Sequence, residues 1–189
     1  MTKELRFAGT GGQGLILAAI IYAEAALYDG HRVLQSQSYG PESRGGASKA
    51  DCIVSDTEID YPKVYLADFL LAMSQKAFDK YKADVKKGSV VLFDSTYVEI
   101  PEKDENIIYF SAPISKTVRD KIGKELASNI AALGAISVVY PLVGEEILLK
   151  AILHRVPKAT TELNKSAFNV GKKLGKEILE SQGSIEFVF

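Results

Sequence analysis

The stretch GTGGQG, residues 9–14, separates two segments of different periodicity. Before it, Glu4–Ala8 alternates polar and apolar residues, which is typical of a β-strand. After it, the mainly apolar stretch from Gly12 to about Tyr28 ends at Asp29-Gly30, which predicts a helix with a glycine stop. A strand joined to a helix by a glycine-rich turn is the first unit of an α/β fold.

The rest of the chain continues to alternate between the two patterns. Strands alternating with helices imply a parallel or mixed sheet that is covered on both faces. No linker or repeat interrupts the chain, so we predict a single domain over residues 1–189, a three-layer α/β sandwich with a helical C-terminal third. The predicted strands are His31–Gln37, Ser48–Ser55, Asp68–Met73, Ser89–Phe93, Asn106–Phe110 and Ile185–Phe189, and the further helices are Ser74–Val85, Lys116–Leu133, Gly144–His154 and Thr160–Leu179.

The composition narrows the classes of function. Of the 189 residues, 47% are hydrophobic and 25% charged, as in a folded globular domain. The net charge of -1 argues against binding nucleic acid or a membrane surface as the main function. The apolar run Leu15–Ala23 is shorter than the ~20 residues of a membrane span, so we expect a helix buried in the domain or against a partner. No signal peptide precedes the first strand, which predicts a cytoplasmic protein.

Metal and redox sites need more ligands than this chain carries. Cys52 is the single cysteine, and His31 and His154 are the two histidines. A disulfide within the chain, or an iron–sulfur cluster or structural zinc site held by this chain alone, is therefore excluded. We expect Cys52 to be a small buried apolar residue, and both histidines to be structural or at the surface.

The glycine turn fits the pattern G-x-G-x-x-G between a strand and a helix. Glycine lets backbone amides approach an anion, and the helix N-terminus adds positive potential. A dinucleotide site would also need an acidic residue about 20 positions further on, but the second strand ends in Gln35–Ser38 without one. Three interpretations stay open: a dinucleotide site, a tight turn that only packs, and a contact with another anion or another chain.

The loop Tyr39–Gly46 follows the second strand and contains one arginine, Arg44, between Ser43 and two glycines. A guanidinium in such a loop suits a carboxylate or a phosphate. The alternative is an ordinary surface loop with an ion pair between Glu42 and Arg44. If strands one and two are adjacent and parallel, this loop and the glycine turn lie at the same sheet edge, where ligands bind in open α/β sheets.

One long block resembles a known family. The stretch QSQSYGPESRGGASKADCIVSDTEIDYP (Gln35–Pro62), with the glycine turn and LLAMSQKAFDKY (Leu70–Tyr81), is similar to the gamma subunit of 2-oxoacid:ferredoxin oxidoreductases. Asn129 and the segment Val156-Pro157-Lys158 continue the similarity. The QSYGPExRGG version of the loop resembles the 2-oxoglutarate branch more than the pyruvate branch.

The resemblance implies a Rossmann-like fold and a role inside a larger enzyme. Such complexes decarboxylate a 2-oxoacid, pass the acyl group to coenzyme A and reduce ferredoxin. It implies thiamine diphosphate and Mg²⁺ between alpha and beta subunits, and iron–sulfur clusters, with a delta subunit in some complexes. The chain alone is then expected to be inactive, and it could form a homodimer in isolation; a stand-alone dinucleotide- or acyl-CoA-binding protein remains the alternative.

We predict that the candidate site residues contact an anion, coenzyme A or a neighbouring subunit, with no catalytic residue and no metal ligand among them. They are Gly9, Gly11, Gly12, Gln13 and Gly14 in the turn, and Tyr39, Ser43, Arg44 and Gly45 in the loop.

Overall fold

The computed structural model describes residues 1–38, 46–100 and 102–182, and within these ranges one mixed sheet of six strands forms the centre of the fold. The strand order is β2-β3-β1-β4-β5-β6. Strands β1, β4, β5 and β6 run parallel, whereas β3 is antiparallel to both β1 and β2. The strands are β1 (Thr2–Thr10), β2 (Arg32–Gln37), β3 (Ala47–Ser55), β4 (Ala67–Ala72), β5 (Val85–Asp94) and β6 (Ile108–Ala112).

Helices cover both faces of this sheet, which confirms the predicted α/β class. On β1, Leu5 and Phe7 point into a large core shared with five of the helices, α1 and α3–α6, whereas Ala8 points into a smaller core with α2. Alternate side chains of one strand therefore face different helical layers. The helices are α1 (Leu15–Tyr28), α2 (Gln75–Tyr81), α3 (Ile114–Ile122), α4 (Ser128–Val139), α5 (Glu145–Arg155) and α6 (Thr161–Gln182).

None of the helices in the described ranges is long and apolar enough to span a membrane.

The predicted helix Lys116–Leu133 is wrong as a single element. It is divided into α3 and α4, because Gly123 adopts a left-handed conformation with φ 76° and its amide donates to the Arg119 carbonyl. Glycine accepts this conformation without steric cost and ends a helix there. A short 3-10 turn, Glu125–Ala127, then leads into α4.

Two other helix boundaries also differ from the prediction. The first helix begins at Leu15, not at Gly12, because Gly12 and Gly14 both have positive φ. The helix predicted over Ser74–Val85 has Ser74 as its N-cap, with its hydroxyl accepting from the Ala77 amide, but it ends at Tyr81. The chain then enters β5 at Val85. The predicted strand Ile185–Phe189 lies outside the described residues.

Strands β1 and β2 are not adjacent, so that part of the expectation was wrong. Strand β3 lies between them and pairs with both, because the chain returns through the 38–46 connection as an antiparallel neighbour of β2. Since β3 is antiparallel to each, β1 and β2 nevertheless run in the same direction. Their carboxyl ends, Thr10 and Gln37, therefore reach the same sheet edge, opposite Ala47 and Ala50 of β3.

Helices α4 and α6 approach each other backbone to backbone. A Cβ atom added at Gly171 would stand 1.8 Å from the Ala131 carbonyl oxygen, and one added at Gly134 would stand 2.1 Å from the Phe168 carbonyl oxygen. Both contacts therefore require glycine. The resulting close packing fixes α4 against α6.

Candidate functional site

The glycine turn forms a tight bend between β1 and α1. The Gln13 amide donates to the Thr10 carbonyl at 3.1 Å, and Gly12 and Gly14 have φ of 98° and 73°, values that side-chain-bearing residues rarely adopt. Gly14 is the N-cap of α1, and no side chain in the described part of the protein caps this helix end. The first-turn amides of α1 face the sheet edge, and no side chain of residues 1–38, 46–100 or 102–182 caps them.

Gln13 fills the crevice between the ends of β1 and β4. Its Oε1 accepts from the Thr10 amide at 2.7 Å, and its Nε2 donates to the Met73 carbonyl at 2.9 Å. Gly9 makes room for this side chain, because a Cβ there would stand 2.5 Å from Oε1. Helices α1 and α2 leave to opposite faces at this point, where ligands usually enter a doubly wound sheet. The Gln13 bridge therefore lies at the point where β1 and β4 send their helices to opposite faces of the sheet.

Asn129 contacts the turn although it lies 115 residues after Gly14 in the chain. Its Nδ2 donates to the Gly14 carbonyl at 3.1 Å, and its Oδ1 accepts from the Ile130 amide at 2.9 Å. A Cβ at Gly14 would stand 2.6 Å from Nδ2, so the contact also requires glycine. The residue patterns did not reveal this role. The one signal in the sequence is an amide side chain at the start of a mainly apolar helix.

Two shallow cavities meet at Gly12. One has a volume of about 400 Å³ and lies along the first turns of α1, where Thr10, Gly11, Leu17 and Ser48 contribute to its wall. The other, of about 210 Å³, is lined by Gly12, Gln13, Ser115, Glu125 and Leu126. A ligand at this edge would meet backbone amides of the turn beside apolar side chains.

The four loop residues of the predicted site, Tyr39, Ser43, Arg44 and Gly45, lie outside the described residues. The ends of the loop are placed at the same edge as the turn. The Ser38 amide donates to the Lys49 carbonyl at 3.1 Å, and the Ser48 hydroxyl donates to the Gly9 carbonyl at 3.2 Å. The expectation that turn and loop share one edge thus holds for the residues that flank the loop.

A buried ion cluster lies on the α2 face of the sheet. Arg6 donates from Nε to Asp51 at 2.8 Å, from Nη1 to Asp84 at 2.8 Å and from Nη2 to the Val64 carbonyl at 2.7 Å. Burial would lower the pKa of Arg6, but the hydrogen bonds and charges of Asp51 and Asp84 raise it overall. A cavity of about 470 Å³ borders this cluster. Lys49 also donates to Asp51 at 2.9 Å, so two cations balance two carboxylates, which suits a structural role that ties β1 to β3.

Cys52, His31 and His154 are not arranged for acid–base or nucleophilic work. Cys52 is fully buried, and burial, with the nearby Asp51 charge, raises its pKa to about 12. His31 pairs with the exposed carboxylate of Asp56, and His154 pairs with the mostly buried carboxylate of Glu24. Among the described residues, no group of three or more His, Cys, Asp or Glu side chains is placed to hold a metal ion.

Comparison with known proteins gives one consistent family. Residues 4–174 match the family model of pyruvate ferredoxin/flavodoxin oxidoreductase. The sequence is 45% identical over 182 residues to the 2-oxoglutarate synthase subunit KorC of Methanocaldococcus jannaschii, covering 94% of this chain and 96% of that protein.

Solved structures show the same fold. The gamma subunit of keto/oxoacid ferredoxin oxidoreductase from Geobacter sulfurreducens superposes with a TM-score of 0.85 at 45% identity, over 94% of this chain and 98% of that one. The 2-oxoglutarate:ferredoxin oxidoreductase of Magnetococcus marinus, solved with 2-oxoglutarate, coenzyme A and succinyl-CoA bound, gives a TM-score of 0.83 at 22% identity. The match covers 97% of this chain but 32% of that one, so in that protein the fold is one part of a longer polypeptide.

Proposed function

The chain belongs to the pyruvate ferredoxin/flavodoxin oxidoreductase family, and from this membership we propose that it acts as the gamma subunit of a 2-oxoglutarate:ferredoxin oxidoreductase. The observation that carries the proposal is the 45% identity to a 2-oxoglutarate synthase subunit over nearly the whole of both chains. The assembled enzyme would decarboxylate the oxoacid, transfer the acyl group to coenzyme A and deliver electrons to ferredoxin. Such a complex would work in the cytoplasm.

In this proposal the redox groups belong to the alpha, beta and delta subunits. Thiamine diphosphate with Mg²⁺ and the iron–sulfur clusters need carboxylate or thiolate ligands. The described residues do not fit these groups, because Cys52 is buried with a raised pKa and no cluster of metal-ligating side chains exists among them. This chain therefore supplies a binding surface and leaves the electron-transfer chemistry to its companions.

We further propose that the sheet edge with the glycine turn binds an anionic part of coenzyme A or of the oxoacid. The amides at the start of α1 and the cavity along Gly11 and Leu17 offer backbone donors next to apolar surface. Arg44, with Tyr39 and Ser43, would add a guanidinium and hydroxyl groups from the neighbouring loop. These residues would orient the acyl acceptor and help to exclude water.

The alternative is a stand-alone protein that binds a dinucleotide or an acyl-CoA. A dinucleotide fits poorly, because the second strand ends in Gln35–Ser38 without the acidic residue that would hold its ribose. Titration of the purified chain with NAD(H), NADP(H) and FAD tests this directly. Saturable binding of any of them would favour the alternative.

Purification from the source organism tests the main proposal. A tagged chain is expected to bring down larger, iron-containing subunits, and the assembly should reduce ferredoxin with 2-oxoglutarate and coenzyme A faster than with pyruvate. The variant Arg44→Ala in the assembled enzyme should raise the KM for coenzyme A or for the oxoacid. Turnover by the isolated chain, or faster turnover of pyruvate, would contradict the proposal.

A further inference from the structure

A row of polar side chains crosses three strands on the α2 face of the sheet. Arg6 of β1 is the cross-strand partner of Asp51 of β3, and Asp51 is the partner of Ser36 of β2. Residues directly opposite each other on antiparallel strands point to the same face. Lys49 lies two residues before Asp51 and therefore points to that face as well. All four residues line the cavity of about 470 Å³ that borders the ion cluster.

The segment between β3 and β4 forms another wall of this cavity. Lys63 and Tyr65 belong to it, and both are exposed. Within residues 1–38, 46–100 and 102–182, the Lys63 ammonium and the hydroxyls of Tyr65 and Ser36 have no hydrogen-bond or ion-pair partner. Three side chains that can donate hydrogen bonds thus line one cavity without an acceptor from the described part of the chain.

The carboxylates of the same cavity are already paired. Asp51 accepts from Arg6 Nε at 2.8 Å and from Lys49 Nζ at 2.9 Å. Asp84 accepts from Arg6 Nη1 at 2.8 Å. Lys63 adds a third cation to Arg6 and Lys49, so the positive side chains outnumber these two carboxylates. A ligand would meet spare donors and a net positive charge, which selects an oxyanion and disfavours a cation.

We propose that this cavity binds the phosphate or carboxylate group of a small metabolite. Lys63 and Lys49 supply charge, and the hydroxyls of Ser36 and Tyr65 donate hydrogen bonds. Because the buried Arg6 lies behind these groups, part of the cavity is shielded from water, where hydrogen bonds to an anion are stronger than at an open surface.

This site is separate from the anion site proposed at the glycine turn. The cavity shares no lining residue with the two cavities that meet at Gly12. It is built on the α2 face of the sheet, whereas the turn lies at the carboxyl ends of β1 and β2. The inference therefore does not depend on the proposed function, and either site can fail without the other.

The first measurement is thermal unfolding of the full chain with inorganic phosphate or with succinate, at an ionic strength kept constant with sodium chloride. At ten times the dissociation constant, the bound anion should raise the unfolding midpoint by roughly 3–5 °C. Tighter binding of phosphate would assign the ligand to the phosphate esters, and tighter binding of succinate would assign it to the carboxylic acids. A midpoint that responds to neither anion beyond the chloride control would overturn the proposal.

Three variants then locate the bound anion. We expect Lys63→Met to weaken its binding roughly tenfold and Ser36→Ala roughly threefold, since each removes one donor. Lys176→Met is the matched control, because Lys176 is an exposed lysine of α6, which packs on the other face of the sheet, and it should leave the affinity unchanged within about twofold. Equal affinity in Lys63→Met, Ser36→Ala and the wild type would identify an adventitious ion only and overturn the site.

Amide chemical shifts of the ¹⁵N-labelled chain give an independent readout of position. Saturating anion should move the resonances of Ser36, Lys49 and Lys63. Shifts confined to Gly11–Gly14 would place the anion at the glycine turn, which would overturn this inference and support the anion site of the proposed function.

Discussion

The contact between α4 and α6 makes the stability of the fold sensitive to substitution of Gly171. In Gly171→Ala, the new Cβ would stand 1.8 Å from the Ala131 carbonyl oxygen and 2.6 Å from its carbon, whereas ordinary contacts begin near 3.4 Å. The clash is with main chain, so no side-chain rotation relieves it. Helix α6 must retreat by an amount on the order of 1.5 Å, and this separates buried Ala131 and Phe168 from their neighbours.

The expected cost follows from two opposing effects. Overpacking and the voids that accompany the retreat destabilise by roughly 3–4 kcal/mol. The better helix propensity of alanine returns about 1 kcal/mol. The net loss of about 2–3 kcal/mol should lower the unfolding midpoint by roughly 5–10 °C in a chain of this length.

Differential scanning calorimetry of the isolated chain measures this effect, and Gly144→Ala is the matched control. Gly144 has φ -57°, and a Cβ there would meet its nearest atoms at 3.5 Å or more, so the control should stay within about 1 kcal/mol of the wild type. An unchanged midpoint in Gly171→Ala would show that the two helices do not pack at this distance.

Three further changes test other parts of the site. Gln13→Ala removes both hydrogen bonds between the ends of β1 and β4. Urea unfolding should show that the free energy of unfolding falls by about 1–3 kcal/mol. An unchanged free energy of unfolding would refute the bridge. Burial would raise the pKa of Glu24, but hydrogen bonds from Tyr28, Arg155 and His154 lower it below 4.5 overall. The ionised carboxylate therefore stabilises the fold above the unfolded-state pKa near 4.5, and this contribution is lost as the pH falls through the lower folded-state pKa. In Glu24→Gln, the free energy of unfolding should fall less steeply over this acidic pH range than in the wild type. An unchanged pH dependence would contradict the assignment. Cys52 is buried with its pKa raised to about 12, so a thiol reagent at neutral pH should label it only after unfolding, and prompt labelling of the native chain would refute its burial.

The local chemistry of the chain was sufficient to predict most elements. The alternation before Gly9 predicted β1, and Ser74 was recognised as an N-cap because its hydroxyl can accept from a first-turn amide. A glycine-rich turn was also predicted between β1 and α1, but the positive φ of Gly12 and Gly14 was not, so the predicted helix began at Gly12 and not at Leu15. The family followed from the unusual block at Gln35–Pro62.

The tertiary structure alone decided how distant segments meet. Nothing in the local pattern of β1 or β2 indicates that β3 lies between them, because strand order depends on which edges pair after the chain has turned. The contact of Asn129 with Gly14 spans 115 residues, and the bridge from Gln13 to Met73 spans 60. The sequence by itself thus determined that a glycine-rich turn joins the first strand to the first helix. Tertiary packing determined which residues contact the turn. Hydrogen-bond partners that are far apart in the chain meet only when the whole sheet and its helices assemble.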